Sequence, residues 1–165
     1  MLCRPSPTRG RKISLMPSKV LDLDTFMPYR LSVVSNRVSS AIARHYCDRF
    51  DLTIPEWRVM AVLGHTPGLS ARQVAARTAM DKVQVSRAVA SLLAAKRLTR
   101  TAHARDGRVA HLSLSLKGRE IYNQVVPLAL TLERQFLSVL SPREAKALDS
   151  LLKKLSGVNL ETDGV

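Results

Sequence analysis

The stretch that decides the fold is residues 70–98, which read SARQVAARTAMDKVQVSRAVASLLAAKRL. Ser70 and Gln73 stand at the spacing of a capping box, in which each side chain satisfies a free backbone amide of the other residue. A helix is therefore predicted from Ser70 to about Thr78. The same signal recurs at Asp81-Lys82-Val83-Gln84, where an Asp cap is followed by Gln at the third helical position. Two helices are thus predicted, one directly after the other.

The second of these helices is predicted from Lys82 to about Lys96. The residues expected on its inward face recur at helical spacing: Val85, Val89, Leu92 and Leu93. Two helices of this size joined by about three residues form a helix-turn-helix, a motif that can place its second helix in the major groove of DNA.

The apolar pattern changes from helical spacing to alternation after Leu98. Residues 98–102 and 110–114 alternate between apolar and polar side chains, as expected for two strands that are buried on one face. The segment between them contains Arg105-Asp106-Gly107-Arg108, a turn sequence with two arginines. A β-hairpin with a basic tip is therefore predicted directly after the helix-turn-helix.

Two further helices are predicted on the N-terminal side. A long first helix is expected from Pro28 to about Asp48, and its apolar stripe consists of Leu31, Val34, Val38 and Ile42, followed by His45. Thr53-Ile54-Pro55-Glu56 is a capping box with proline in the first turn, and it predicts a second helix from Pro55 to about Gly64.

Two long helices are predicted on the C-terminal side. Ser115 can cap a fifth helix with an apolar stripe of Ile121, Val125, Leu128, Leu132 and Phe136. Ser141-Pro142-Arg143-Glu144 opens a sixth helix, whose seam is Leu148, Leu151, Leu152 and Leu155. The sequence therefore predicts a mainly α fold with one small β-hairpin.

The charge of the chain is concentrated in two places. Among 165 residues there are 26 Lys and Arg against 13 Asp and Glu, a formal net charge of +13 that favours a polyanionic partner. Residues 1–19 carry five basic groups and no acidic one, and residues 72–108 carry nine basic and two acidic groups. The folded part is therefore basic chiefly around the helix-turn-helix and the hairpin.

Several classes of protein are disfavoured by what the sequence lacks. No uncharged apolar run approaches the roughly 18 residues of a membrane span, and arginines occupy the place of a signal peptide, so a cytoplasmic protein is expected. No Ser, Cys or carboxylate pair stands beside a base or a phosphate loop, so an enzyme is not expected. Cys3 and Cys47 make neither a disulfide framework nor a metal site, and His103 and His111 are too few for a metal centre. No cofactor is predicted.

Four motifs follow one another along the chain. They are Leu52-Thr53-Ile54-Pro55-Glu56-Trp57-Arg58, Asp81-Lys82-Val83-Gln84-Val85-Ser86-Arg87, Asp106-Gly107-Arg108 and Leu114-Ser115-Leu116-Lys117-Gly118-Arg119. In this order, and with the helices and hairpin described above, they resemble the MarR family of transcriptional regulators over residues 25–156. The resemblance implies a winged helix-turn-helix (α+β) with long N- and C-terminal dimerisation helices.

The resemblance also implies a division of the chain. Residues 1–22 are expected to be a basic, disordered tail and residues 159–165 a frayed end, with a single unit over residues 23–158. Within that unit, residues 53–115 would form the DNA-binding lobe. The dimerisation helices would be residues 25–50 and 116–156, whose apolar faces exceed what one lobe can cover.

One place departs from the family pattern. The recognition helix of the family usually ends with Gly followed by an apolar residue, and here Lys96-Arg97 occupies that place. A residue other than Gly in a left-handed backbone costs roughly 1 kcal/mol. If the backbone is left-handed there, the end of the helix is expected to be looser or shifted.

The expected DNA contacts lie on the recognition helix and the hairpin tip. Base-reading donors and acceptors are expected near the N-terminus of the recognition helix, at Lys82, Gln84, Ser86 and Arg87, with Val83 an alternative contact for a thymine methyl group. At the tip, the resemblance implies that Arg108 contacts DNA and that Asp106 orients it. Arg105 is the further basic contact expected there.

The implied function is that of a homodimeric regulator of transcription on a pseudo-palindromic operator in double-stranded DNA. Family members commonly act as repressors that a small aromatic ligand releases from DNA. The residues expected to border such a ligand are Tyr29, Arg30, His45, Trp57 and Arg58, although Trp57 is equally explained as a core residue. Cys47 is interpreted as a buried, inert thiol rather than a redox sensor. The alternative function is a non-specific, nucleoid-type DNA-binding protein.

Overall fold

The computed structural model describes residues 20–102 and 110–158. Four residues singled out above at the hairpin tip lie outside this range, namely His103, Arg105, Asp106 and Arg108. Most of the predicted tail and all of the predicted frayed end also lie outside it. The chain divides into two units with a boundary after Val34.

Seven helices and two strands make up the described part of the chain. They are α1 (Met27–Ala43), α2 (Cys47–Phe50), α3 (Ile54–His65), α4 (Ala71–Thr78), α5 (Lys82–Ala94), β1 (Leu98–Ala102), β2 (Ala110–Leu114), α6 (Leu116–Leu137) and α7 (Pro142–Ser156). The predicted fold class, mainly α with one antiparallel hairpin, is confirmed.

Five predicted caps begin helices in the structure. Complete capping boxes open α3 at Thr53, α4 at Ser70 and α7 at Ser141. Asp81 and Ser115 each accept a hydrogen bond from the backbone amide three residues on, and so begin α5 and α6. Each cap satisfies a backbone donor that a helix leaves free at its start, which fixes where these helices begin.

The predicted first helix is shorter than expected. It ends at Ala43, the chain turns through residues 44–46, and the short α2 follows. The turn places Tyr46 in the core with 1% of its surface exposed, whereas His45, the last residue of the predicted stripe, is exposed. If the helix continued, His45 would take the inward position instead of Tyr46. Burying the Tyr46 ring removes more apolar surface from water than burying the His45 ring would, and this favours the turn.

The core of the second unit lies among α3, α4, α5 and the hairpin. Its most deeply buried members come from each of these elements: Val59, Met60, Leu63, Val74, Val85, Leu92, Leu98 and Leu112. α6 contributes Ile121 and Val125 near its start. The helix-turn-helix and the hairpin therefore share one core and hold each other in place.

The hairpin is attached to the rest of the lobe on its inner strand. β1 pairs with β2 in the register Leu98↔Leu114 to Ala102↔Ala110, and Leu69 bridges to Leu112 on the other side of β2. Gly68 donates its amide to the Leu112 carbonyl at 2.9 Å and has φ of +77°, a left-handed conformation that suits glycine. The loop between α3 and α4 is thus joined to β2 by a single-residue β-bridge.

Three helix ends carry a residue other than glycine in the left-handed conformation. Asp51 follows α2, Ala79 follows α4 and Lys96 lies just beyond α5, with φ of 47°, 52° and 55°. The departure from the family pattern at Lys96-Arg97 predicts a looser or shifted helix end if the backbone there is left-handed. Lys96 is left-handed, and α5 ends at Ala94, two residues before the predicted end. The left-handed conformation strains a residue that has a Cβ by about 1–2 kcal/mol relative to the right-handed one.

Arg97 takes the place of the apolar residue that the family pattern has after this turn. Only 9% of Arg97 is exposed, and its guanidinium donates to the backbone carbonyls of Asp51 and Phe50, the former at 2.8 Å. Its own carbonyl accepts the Ser115 amide at 3.0 Å and lies 2.0 Å from where a Cβ on Gly118 would be. Arg97 therefore joins the end of α2, the hairpin and the start of α6.

The two C-terminal helices become more exposed along the chain. Ile121 and Val125 of α6 are buried, but Phe136 is 45% exposed. α7 buries none of its residues, and three leucines of its predicted seam are about half exposed: Leu151, Leu152 and Leu155. Within the described residues, no helix combines the length and the apolar character that crossing a membrane requires.

Candidate nucleic-acid interface

Helix α5 is anchored firmly along one side. The Asp81 carboxylate accepts the Gln84 amide at 2.7 Å, which caps the helix. The residues of its buried side are Val85, Ala88, Val89 and Leu92. Because these span nearly the whole helix, α5 is held as a rigid element with its other side free to meet a partner.

The direction opposite this buried side can be read from the helix geometry. Each residue advances by about 100° around the axis, so Val83, Arg87 and Ala90 lie within about 30° of the direction opposite the buried side. All three are exposed, and Val83 is exposed by 58%. We call this set the outer stripe of α5. A helix that enters a groove of DNA presents such a stripe to the base edges.

The four residues predicted to read bases point in different directions around the axis of α5. Arg87 lies on the outer stripe, whereas Gln84 lies about 90° from its centre on one side and Lys82 about 110° on the other. Ser86 is intermediate, and all four are exposed. The sequence prediction treated Val83 as an alternative contact and did not include Ala90, although counting 100° per residue from Val85 and Val89 would have found both.

Lys82 and Ser86 border an open cavity of about 730 Å³ between α4, α5 and the hairpin. Arg72 at the start of α4 and Arg100 on β1 lie on the same cavity, above an apolar floor that includes Leu112. Three cations thus surround one cleft beside the outer stripe. This arrangement suits a DNA backbone passing along the helix, with Arg72 and Arg100 placed to contact phosphates.

Within the described residues 70–102, the elements around α5 carry almost no negative charge. Asp81 is the only acidic residue between positions 70 and 102, and its carboxylate is used by the helix cap. Arg97 does not add to this surface because it is buried. The positive field therefore comes from exposed groups on α4, α5 and β1, as expected for a surface that meets phosphates.

Two of the predicted ligand residues, Trp57 and Arg58, are half-buried. The half-buried Trp57 packs against Tyr46 and Tyr122, with ring centroids 5.5 and 6.0 Å apart. Burial, with a smaller contribution from Cys47, raises the pKa of Tyr46 to about 12, so this phenol stays neutral. Arg58 donates to the Ser39 hydroxyl at 3.5 Å. The sequence reasoning missed Tyr46 and Tyr122 because neither stands near Trp57 along the chain.

The remaining predicted ligand residues lie at the surface. His45 is exposed in the turn after α1. Tyr29 and Arg30 belong to the other unit, where Tyr29 is 45% exposed. Cys47 is a half-buried free thiol, and no group of three possible metal ligands occurs in the part of the chain that the structure describes.

Comparison with known proteins points to one family. A family model described as MarR family matches residues 50–109. The HTH-type transcriptional regulator BilQ of Clostridium symbiosum is 34% identical over 93 residues, which make up 56% of this chain and 65% of that protein. The crystal structure of a probable transcriptional regulator from Pseudomonas aeruginosa matches with a TM-score of 0.69 and 29% identity, over 81% of this chain and 99% of that chain.

The chain is similar to members of the MarR family. A further MarR-like structure, that of Bordetella bronchiseptica BpsR, matches with a TM-score of 0.75 and 24% identity, over 85% of this chain and 99% of that chain. The helices and the two-stranded hairpin of this chain match the winged helix of MarR structures. MarR family members are transcriptional regulators and not enzymes. In position along this fold, α5 corresponds to the recognition helix of a winged helix and the hairpin to its wing.

Proposed function

We propose that this chain is a member of the MarR family and regulates transcription by binding a specific sequence in double-stranded DNA. The observation that carries the proposal is the outer stripe of α5, which presents Arg87 on a helix whose opposite side is buried in the core. A rigid helix with a cation at this position can enter the major groove. Arg72 and Arg100, which line the cleft beside the outer stripe, then neutralise phosphates along one side of that groove.

Base reading is assigned first to Arg87. A guanidinium forms two parallel hydrogen bonds with O6 and N7 of guanine, and such a pair discriminates against a wrong base by about 1–3 kcal/mol. Gln84 can bind adenine through its amide in the same way. Lys82 and Ser86, on the side of α5 toward the wing, add contacts to a base edge or a phosphate.

The wing tip supplies the second set of contacts. Arg105 and Arg108 would bind phosphates or the minor groove beside the recognition helix, and Asp106 would hold Arg108 in position. These three residues lie outside the described residues, so this part of the proposal rests on the motif Asp106-Gly107-Arg108 and on the family.

The chain is proposed to act as a homodimer. Exposed leucines along α7 and the exposed end of α6 form apolar surface that the second unit leaves uncovered within the described residues. A two-fold interface between such helices would bury this surface and would place two recognition helices on half-sites about 10–10.5 base pairs apart. The expected operator is therefore a pseudo-palindrome.

We further propose that the chain is a repressor that a small aromatic compound releases from DNA. In Bordetella bronchiseptica BpsR, 6-hydroxynicotinic acid regulates the binding of that protein to DNA. In this chain, Trp57 with Tyr46 and Tyr122 offers flat aromatic surface, and Arg58 offers a cation for a carboxylate. These contacts support an aromatic effector of this class without naming the compound.

Selection of bound fragments from random duplex DNA tests the proposal. Recovery of a pseudo-palindrome would support sequence-specific binding by a dimer. The alternative, a non-specific nucleoid-type protein, is favoured by the net charge of +13 and would recover no preferred sequence.

Two arginine variants then separate base reading from phosphate binding. Arg87→Ala should reduce discrimination between the selected site and an unrelated duplex by about 1–3 kcal/mol per half-site. Arg108→Ala should weaken binding to both duplexes alike and lower the salt dependence by about one phosphate contact per protomer. Arg77→Ala, an exposed arginine on α4, is the matched control. Equal, sequence-independent losses in Arg87→Ala and Arg108→Ala would contradict the role of Arg87.

A further inference from the structure

We infer that Val83, together with Ala90, reads the C5 methyl groups of thymines in the DNA site. This inference rests on the proposed function and names which base the apolar part of the outer stripe selects. The two residues flank Arg87 along α5, four residues before it and three residues after it. The stripe therefore offers DNA an apolar group, a cation and a second apolar group in a row.

Among the residues that the structure describes, none packs over Val83 closely enough to bury it and so explain a valine. Its side chain is 58% exposed, whereas Val85, two residues on, is only 1% exposed. Valine is also a weaker helix former than alanine, lysine or glutamine, so local stability does not favour it at this position. An isolated exposed apolar residue is common on protein surfaces, but this one stands at the centre of the surface that faces DNA.

The position of the Val83 methyl groups is well defined. A β-branched side chain in a helix strongly prefers one χ1 rotamer, so its two methyl groups are fixed relative to the backbone. The backbone is fixed in turn by the Asp81 cap and by the burial of Val85 and Val89 beneath it. Val83 is therefore a rigid apolar contact, unlike the long and flexible side chains of Lys82 and Arg87.

Thymine offers the matching group. Among the four bases, thymine alone carries a methyl group on its major-groove edge, and cytosine has only hydrogen at the same carbon. Apolar contact with that methyl group favours thymine, while a valine can satisfy none of the polar groups of the other bases. Since four helical residues span about 6 Å, the thymine read by Val83 lies within about two base-pair steps of the guanine read by Arg87.

Replacement of thymine by deoxyuracil tests this inference. The change removes one methyl group and leaves every hydrogen-bonding group in place, so it isolates the proposed contact. Each thymine of the selected duplex is replaced in turn, and dissociation constants are measured at one fixed salt concentration with the full chain. The proteins compared are the wild type, Val83→Ala, and Val158→Ala, an exposed valine in the C-terminal segment that serves as the control.

The expected result is a loss confined to particular thymines and dependent on Val83. With about 0.8 kcal/mol per buried methyl group, deoxyuracil at the thymine read by Val83 should weaken wild-type binding about fourfold per half-site. Val83→Ala should bind the thymine duplex about as weakly as the wild type binds the deoxyuracil duplex, and should lose nothing further when that methyl group is removed. Val158→Ala should behave as the wild type does.

Two results would overturn the inference. One is wild-type binding that is unchanged by deoxyuracil at every position of a duplex that is still bound specifically. The other is Val83→Ala retaining the full wild-type sensitivity to deoxyuracil. Either of these results leaves the proposed function standing. If the chain prefers no duplex sequence at all, both the proposed function and the inference about thymine are overturned. Circular dichroism of Val83→Ala should match the wild type, since alanine is the better helix former at this exposed position.

Discussion

Replacing Ala79 with glycine should make the protein more stable, although glycine usually weakens a protein. Ala79 ends α4 in the left-handed conformation, with φ of 52°. An alanine in this conformation is strained by about 1–2 kcal/mol because its Cβ lies too close to the following carbonyl oxygen. Glycine has no such contact, but it loses about 0.5–1 kcal/mol more conformational freedom on folding. Subtracting the middle of the second range from the middle of the first gives an expected net gain of about 0.5–1 kcal/mol for Ala79→Gly.

Ala76 provides a control of the same residue type in the same helix. It is exposed within α4, where the backbone is ordinary helix, so Ala76→Gly should lower the free energy of unfolding by about 1 kcal/mol. The two substitutions are chemically identical and three residues apart. Their opposite signs would come from the backbone conformation alone.

Urea unfolding of the full chain at one protein concentration measures both changes, and fixing the concentration holds any dimerisation constant. With a slope of about 2 kcal/mol per molar urea, the midpoint of Ala79→Gly should rise by about 0.3–0.5 M. The melting temperature should rise by about 1–4 °C. A midpoint of Ala79→Gly that falls as far as that of Ala76→Gly would refute the left-handed strain at Ala79.

Two further predictions concern assembly and pH. Leu152→Glu on α7 should convert the proposed dimer into a monomer at micromolar concentration, as measured by light scattering. Lys154→Glu, at an exposed position on the same helix, is the control and should leave the mass unchanged. A monomeric wild type would contradict the dimer. Burial alone would raise the pKa of Glu56, but hydrogen bonds from Ser91 and Thr53 and the charge of Arg97 together hold it below its ordinary value of 4.5. The stability that this carboxylate contributes is therefore complete above pH 4.5 and is lost as the pH falls through the lowered pKa. Acid unfolding of Glu56→Gln should accordingly be less steep than that of the wild type. Identical acid unfolding curves would count against this role of Glu56.

Local signals in the sequence were enough to predict most helix starts and the hairpin. Thr53, Ser70 and Ser141 begin helices as predicted because a capping box is settled by residues only three apart. The change from helical spacing to alternation after Leu98 likewise located both strands. Such features depend on neighbouring residues, which a sequence shows directly.

Features that depend on distant contacts were not predictable in the same way. The break after Ala43 follows from the burial of Tyr46, and nothing in its immediate sequence marks a helix end. The guanidinium of Arg97 binds carbonyls 46 and 47 residues earlier in the chain, so its burial could not be read from its neighbours. By contrast, the cap of α5 was predicted correctly, and the outward position of Val83 could have been counted from the predicted inward residues Val85 and Val89.

The attachment of the hairpin at its base has a consequence for how the wing can vary in length. Ser115 donates to the carbonyls of Lys96 and Arg97, and Leu69 bridges to Leu112, so both strands are fastened close to the core. Extra residues placed between Ala102 and Ala110 would extend the reach of the wing without shifting its base. Doubling the length of such a loop costs only about 0.6 kcal/mol in closure entropy. If the wing contacts DNA as proposed, the span of DNA that it covers can therefore be adjusted by insertion or deletion, independently of α5.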